Sequence, residues 1–460
     1  MAWTRTKRET PAHIMAPRII MLLSVLALVL IGFVMIYSTS SVITLANADA
    51  PDAANPMADV LGQVRYAVAG LVLAAAIWKF LPCSVWRGPF VYVAWGLAAI
   101  LLVATMFIGV GDEEWGARRW LVLGSASLQP SEFAKIVLVL VGARLFADLR
   151  EGVLTFRAFF VQVFVLVLAP ILLILAKQSD LGTAMICVMG ILAVMWLGEV
   201  PARTMAVVAG LVVAVGVVGV VSEPYRMSRL MVFLNPWNDG EGGFGKGYQL
   251  IHSFYAIAGG GLFGVGLGNS YLASVFAADS DLVFGLLCEE QGLLLGLVIL
   301  LAFVLWIFYA RSDVTRSRST FFSIAACAAA GMLLFQTALN VFGATDVLPM
   351  TGVTLPFISS GGSSMISVWG MMAFLKASDE RTYAARRASR RSLREEAPPP
   401  PSRTPQSRAP QRAPAPRPQA SPSRGRVTPP APQRAPARSP APRGGSHARK
   451  PAGRHSRKEA

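Results

Sequence analysis

The chain reads as an all-α polytopic membrane protein, with about ten transmembrane helices and a large extracytoplasmic loop between spans seven and eight. Three observations predict this. Hydrophobic residues make up 54% of the chain and charged residues 15%, against roughly 45–50% and ~25% in a soluble domain. The apolar run from Ile19 to Leu45 exceeds the roughly 20 residues that cross a bilayer as helix. Comparable runs, separated by polar loops, recur as far as residue 378.

The Ile19–Leu45 run is too long for the apolar region of a signal peptide, and no small-residue cleavage site precedes a soluble domain, so it is span one. The runs place spans at 19–45, 66–82, 89–110, 131–147, 159–176, 181–198, 204–222, 281–310, 320–342 and 359–378. Lysine and arginine concentrate on the cytoplasmic side of membrane proteins. With the N-terminus inside, the inner segments of residues 1–380 carry 14 basic residues and the outer segments 7. An even number of spans then leaves both termini in the cytoplasm and residues 223–280 outside. Within that outer loop, Tyr248 to Ala258 is apolar but too short to span, and reads as an interfacial or re-entrant helix. Gly260, Gly264 and Gly268 recur every four residues, a spacing that lets helix backbones approach closely.

The net charge of +16 comes from one end. From Arg381 onward there are 20 basic and 3 acidic residues, whereas residues 1–380 hold 22 and 23. The chain therefore divides into a basic N-terminus (1–18), a near-neutral membrane domain (19–378) and a basic Pro-rich tail (379–460). From Ala397 the tail has almost no large apolar residues and is expected to be disordered. A polycation beside a membrane meets anionic inner-leaflet lipids before nucleic acid, so no nucleic-acid partner is expected. The tail reads equally as a partner-docking segment or as a solvated extension.

Some apparent motifs lack their context. Gly240 to Gly247 (GEGGFGKG) approaches a phosphate-binding loop, but no Ser or Thr follows Lys246 and no strand precedes it. Gly259, Gly261 and Gly264 fit GxGxxG without a surrounding βαβ unit. His252 is the one histidine of the membrane body, too few for a metal cluster or a triad. Cys83, Cys187, Cys288 and Cys327 lack CxxC spacing and read as small core residues rather than disulfides or metal ligands.

Ionisable residues at membrane depth are costly, and each is a functional candidate. Glu132 and Lys135 open span four at i, i+3, where they can neutralise each other. Asp180 lies in QSDLGTA between two short spans, as in a broken helix lining a cavity. Asp281 begins span eight, with Glu289 and Glu290 two turns deeper. Arg118 and Arg119 precede Gln129-Pro130-Ser131-Glu132. In the expected topology all these groups fall in the outer half of the membrane, which predicts a polar cavity open outward. The plainer alternative is an ion-pair network that only orients helices, strongest for Glu132 and Lys135.

Six runs then carry a resemblance: GARRWLVLGSASLQPSEFAK, QSDLGTA, YRMSRLMVFLNPW, GYQLIHSFYAIAGGGLFGVGLGNS, DLVFGLLCEEQG and LPMTGVTLPFISSGGSS. In that order, over roughly residues 17–378, they resemble the SEDS family of peptidoglycan glycosyltransferases. YRMSRL, FLNPW, GYQ and GLGNS look closer to its cell-division branch than to its elongation branch, and sporulation paralogues share the pattern. The resemblance implies a bacterial cytoplasmic-membrane enzyme of septal cell-wall synthesis. It would polymerise lipid II, the undecaprenyl-linked disaccharide-peptide, into β-1,4 glycan at the outer face. The implied partners are a cognate class B penicillin-binding protein transpeptidase and other division proteins. The family's catalytic aspartate, in a Thr-Asp-Phe motif followed by an acidic pair, matches Ser280-Asp281-Leu282 and Glu289-Glu290, so Asp281 is the implied base. Where many members have Pro-Glu-Ala-His upstream, this chain has Phe276-Ala277-Ala278-Asp279, and no role of that glutamate transfers.

The chemistry asks for little. A sugar carrying pyrophosphate already has a good leaving group, so one carboxylate near the acceptor hydroxyl can serve as base. Arg119, Lys135, Lys177 or a divalent cation can balance the pyrophosphate, and no cofactor is required. The expected site is thus Asp281 as base, with Arg119, Glu132, Lys135, Asp180 and Glu290 in the substrate cavity. The same ionisable set would suit a lipid-precursor flippase, and a scaffold that recruits a transpeptidase needs neither activity.

Overall fold

The computed structural model describes residues 12–46, 55–80, 85–86, 88–111, 117–124, 126–239, 241–314 and 319–375. The expectations for residues 1–11 and for the tail fall outside these, as does Cys83.

Helices dominate. α1 (Ala12–Ala46) is apolar on every side and packs along α2 (Pro56–Phe80), which opens on a proline, with Asp59 in its first turn. Both features suit a helix start, where the proline's missing N–H costs nothing and the dipole favours an acid. α3 (Phe90–Ile108) leads through a hairpin of β1 (Leu121–Leu123) and β2 (Ala126–Leu128), Leu121 opposite Leu128, into α4 (Pro130–Arg150). Again a proline and an acid, Glu132, open the helix, and Arg150 closes it.

α5 (Phe156–Lys177) contains a π-helical turn at Phe164–Leu168 just ahead of Pro170. Pro170 has no N–H to give the carbonyl of Leu166, and the indole of Trp95 donates to that oxygen at 2.7 Å. α6 (Leu181–Leu197) follows a sharp reversal in which Ser179 takes φ 50°. α7 (Ala202–Val221) has no fully buried residue: much of its largely apolar surface is exposed, while Met205 and Val208 pack against the core.

α8 (Pro224–Leu234) is an amphipathic helix, and α9 (Tyr248–Gly260) is the short helix expected within residues 223–280. α10 (Val283–Gln291), α11 (Leu293–Val314), α12 (Thr320–Ala344) and α13 (Gly362–Leu375) complete the order.

The core lies where α4, α6 and α12 meet. α12 is buried along its length through small residues such as Ala325, Ala326, Ala328, Ala329 and Ala330, which admit close neighbours. Among the described residues, 6 helices are long and apolar enough to cross a membrane, and three shorter apolar helices (α6, Leu293–Phe308 of α11, and α13) accompany them. Six of the ten predicted runs thus fall on helices long and apolar enough to cross a membrane, and the other four overlap helices that are shorter or, like α4, less apolar.

Two expectations change. Span eight is not one helix from residue 281: it breaks at Gly292 (φ 90°) between α10 and α11. The loop after α9 fills the break, with Val265 N donating to Glu289 O at 2.8 Å and Leu293 N to Gly261 O at 2.9 Å. The four-residue glycine spacing is likewise not a helix-packing stripe, since only Gly260 is helical and Gly264 and Gly268 adopt positive φ in the loop. Close approach is nevertheless real at Gly264, where a β-carbon would lie 2.2 Å from the carbonyl oxygen of Glu290.

Candidate active site

One cavity of about 1,050 Å³ dominates the described residues. Four of the predicted site residues line it: Arg119, Glu132, Asp180 and Asp281. Arg226, Arg229 and the carboxylates of Asp59 and Asp279 join them, while Val213, Val217 and Val221 of α7 supply an apolar flank.

Asp281 sits in a turn, outside the spans, just ahead of α10. The turn is locked by its backbone. Asp281 N donates to Ala277 O at 3.1 Å, with Ala277 at φ 60°. Asn340 Nδ2 of α12 donates to the carbonyls of Asp281 (3.1 Å) and Val353 (2.9 Å). Ser359 Oγ donates to Ser280 O at 2.7 Å, and Ser360 N to Asp279 O at 2.9 Å. The carboxylate itself accepts none of these bonds. Burial pushes its pKa above the ordinary aspartate value, opposed by the charge of Arg229 and reinforced by Asp279. Asp279 is also raised by burial, against a hydrogen bond from Ser360. Gly352 lies beside Asp281 at φ 72°, and a β-carbon there would stand 3.4 Å from Asp281 Oδ2.

The cations are held by neutral groups as well as charges. Arg119 donates to the carbonyls of Gln178 (2.7 Å) and Ser179 (2.9 Å). Arg226 donates to those of Gly219 and Leu175, each at 2.7 Å. Arg229 donates to Met350 O at 2.9 Å and Tyr225 Oη at 2.6 Å. A carbonyl fixes a guanidinium without cancelling its charge, so these arginines bring positive potential to the wall facing Asp281.

Asp180 caps α6, its Oδ1 accepting from Thr183 N at 2.9 Å and its Oδ2 from Gln129 Nε2 at 3.1 Å. It faces the cavity as expected, and it also fixes the reversal between α5 and α6. Glu132 and Lys135 do pair, at 2.7 Å, with Lys135 fully buried. Lys135 Nζ also donates to Gln336 Oε1 at 2.8 Å, and Ser367 Oγ donates to Glu132 Oε2 at 3.1 Å. The network ties α4, α12 and α13 together. Only its carboxylate end reaches the cavity; Lys135 lies behind the wall and is not placed to touch substrate directly.

Glu290 requires a correction: it does not line the cavity. It is 1% exposed and accepts from Ser38 Oγ at 2.5 Å and Gly268 N at 3.3 Å. Its neighbour Glu289 accepts from Ser270 Oγ, from Tyr271 N at 3.1 Å and from Leu272 N at 3.0 Å. The acidic pair thus anchors residues 268–272, the stretch of loop that leads to Asp281. Its position two and three residues before Gly292 aims both carboxylates at the loop rather than at the cavity.

The phosphate-loop look-alike also resolves. Asp239 occupies the concavity: its carboxylate accepts from the backbone N–H of Glu241, Gly243, Gly245 and Gly247 at 2.8–3.0 Å. These bonds hold its pKa at about 2. Among the described residues no group of three or more His, Cys, Asp or Glu side chains is arranged to hold a metal ion. Cys187, Cys288 and Cys327 are free thiols. Sequence reasoning missed Arg229, Asn340 and Ser359. Arg229 shares a five-residue segment with Arg226, but no pattern marked either as facing Asp281.

A helical membrane protein with a loop aspartate set against arginines in one large cavity is the class that fold and site define. Residues 18–383 match the cell cycle protein family that groups FtsW, RodA and SpoVE, and the chain belongs to that family. It is 32% identical over 358 residues to stage V sporulation protein E of Bacillus subtilis, covering 76% of this chain and 93% of that protein. It is 34% identical over 374 residues to a probable peptidoglycan glycosyltransferase FtsW of Halorhodospira halophila, covering 80% and 91%. Among solved structures, a chain of a peptidoglycan synthase complex that coordinates polymerization and crosslinking superposes with a TM-score of 0.61 at 25% identity, covering 79% of this chain and 97% of that one. The rod shape determining protein RodA of Thermus thermophilus gives 0.55 at 25% identity, covering 79% and 96%.

Proposed function

We propose that this integral membrane protein is a peptidoglycan glycosyltransferase that polymerises lipid II into β-1,4 glycan for septal wall synthesis. The observation that carries the reading is Asp281, a carboxylate held by its backbone at the cavity wall with Arg229 close enough to bias its ionisation. The acceptor sugar's hydroxyl oxygen attacks the anomeric carbon of the donor. The bond from that carbon to the pyrophosphate oxygen breaks, and the lipid pyrophosphate leaves with the electron pair. Asp281 accepts the hydroxyl proton as the new bond forms. Arg119, Arg226 and Arg229 offset the negative charge that grows on the pyrophosphate. The apolar flank from α7 suits the isoprenoid chain.

In this reading ten spans cross the cytoplasmic membrane, both termini are cytoplasmic, residues 223–280 face outward, and the basic tail lies against the inner leaflet. A class B penicillin-binding protein is the proposed partner. The enzymatic test is glycan formation by purified protein from labelled lipid II. Movement of lipid between leaflets without polymer would favour a flippase instead. The same assay with and without chelator reads any need for a divalent cation. Impermeant cysteine labelling of intact cells should mark a cysteine at Asn238 and not one at Ser421, and the reverse pattern would overturn the orientation.

A further inference from the structure

A second chamber, of about 350 Å³, lies between α8, α9 and the segment at Met350. Among the described residues its charged lining side chains are Arg229 and Lys246, both cationic, accompanied by the polar side chains of Tyr225, Ser228 and Gln249 and by an apolar half that includes Phe233 and Leu250. The partition from the main cavity is one side chain thick. Tyr225, Arg229 and Met350 line both spaces, joined by the hydrogen bonds from Arg229 to Tyr225 Oη and Met350 O. The chamber is also coupled to the reactive turn, because Gln249 Nε2 donates at 2.8 Å to the carbonyl of Phe276, five residues before Asp281.

We infer that this chamber is a subsite for the anionic peptide of the lipid-linked substrate, with Lys246 and Arg229 receiving a peptide carboxylate. The inference rests on the polymerase reading and deepens it. The reacting carbon, the attacking hydroxyl and the pyrophosphate must all meet Asp281, which lines the larger cavity and not this one. What remains for the smaller chamber is a part of the substrate that does not react. Two such parts exist, the isoprenoid and the peptide. An isoprenoid would leave the two cations facing hydrocarbon, whereas a peptide offers apolar parts to Val232, Phe233 and Leu250 and a carboxylate that both cations bind with charge-assisted hydrogen bonds. The volume is at the small end of ligand pockets, roughly 300–1,000 Å³, enough for the end of a short peptide and not for a disaccharide-peptide. Contacts to a remote, non-reacting part are also the kind that position the reacting centre.

The test is a binding cycle on the full-length protein. Labelled lipid II is titrated as the native peptide form and with its peptide carboxylates amidated, against wild type and Lys246→Gln. Amidation alone and the substitution alone should each weaken binding about tenfold, and the two together little further, because each removes the same contact. Equal affinities throughout, or losses that multiply to about a hundredfold, would overturn the subsite. An effect of Lys246→Gln that appears only when anionic phospholipid is present would overturn it too, by assigning the chamber to a lipid headgroup. Polymerisation is followed in parallel. An intact cycle without glycan would sink the polymerase reading alone, and glycan with a flat cycle would sink the subsite alone.

Discussion

Asn340 Nδ2 donates to the main-chain carbonyl of Asp281 at 3.1 Å and to that of Val353 at 2.9 Å. One buried amide on α12 therefore joins the turn that carries the proposed base to the strand of chain that carries Gly352. The carboxylate is left to face the cavity while its own backbone is fixed. Asp281→Asn keeps shape and hydrogen-bonding reach but removes the basic electron pair. Turnover should fall about 10²–10⁴-fold, with lipid II binding and thermal unfolding unchanged. Near-normal polymer from labelled lipid II would remove Asp281 as base and turn attention to Asp279.

Arg229 sets the acid limb of the reaction. Burial raises the pKa of Asp281 and the charge of Arg229 lowers it. A base works only when ionised, so activity should fall as pH drops through that pKa, at a pH above the ordinary aspartate value. Arg229→Ala removes a stabilising cation and should move the limb to still higher pH, whatever it does to substrate affinity. A pH profile of kcat on saturating lipid II reads this. A limb that stays in place, or moves down, would contradict the assignment.

The membrane domain was legible because a bilayer imposes a simple rule on composition: long apolar runs separated by short basic or polar loops. What was not legible follows from backbone geometry. The break at Gly292 follows Glu289, Glu290 and Gln291 with no proline to mark a stop, and with apolar residues on both sides α10 and α11 merged in the sequence. The resemblance led to Asp281, and the depth argument led to Glu132 and Asp180 at the cavity wall. The same argument misplaced Glu290, since an ionisable residue can be buried to hold a loop as readily as to meet a ligand. Arg229 faces Asp281 across a cavity that no linear pattern encodes.

The Glu132–Lys135 pair should prove both structural and functional, with the roles split between its ends. Lys135 is fully buried and bonds Glu132 and Gln336, so Lys135→Met leaves a carboxylate without its cation. Breaking a buried pair in this way costs about 3–5 kcal/mol, readable as a lowered thermal midpoint in detergent. Exchanging the two residues restores the pair and should recover most of that stability. It should not recover polymerisation, because only Glu132 reaches the cavity and the exchange replaces that carboxylate with an ammonium. Full activity in the exchanged protein would leave the pair with a structural role only.

Asp239 should govern the loop that presents Lys246. Its Oδ1 accepts from Glu241 N and Gly243 N, and its Oδ2 from Gly245 N and Gly247 N, so the carboxylate closes the loop from within. Asp239→Asn keeps the first pair of acceptors but turns an N–H₂ toward the amides of Gly245 and Gly247, on either side of Lys246. Amide exchange across residues 241–247 should speed up, and the variant should also weaken lipid II binding in the manner of Lys246→Gln. The pH dependence has a definite sign. A carboxyl whose folded pKa is depressed to about 2 from 3.8 stabilises the closed loop above the higher value and loses that contribution as pH falls toward the lower one. Trp237, two residues ahead and packed against Phe254, reports the opening by fluorescence. Wild type should show a transition in that acid window that Asp239→Asn lacks. The same titration in both proteins would mean that another group closes the loop.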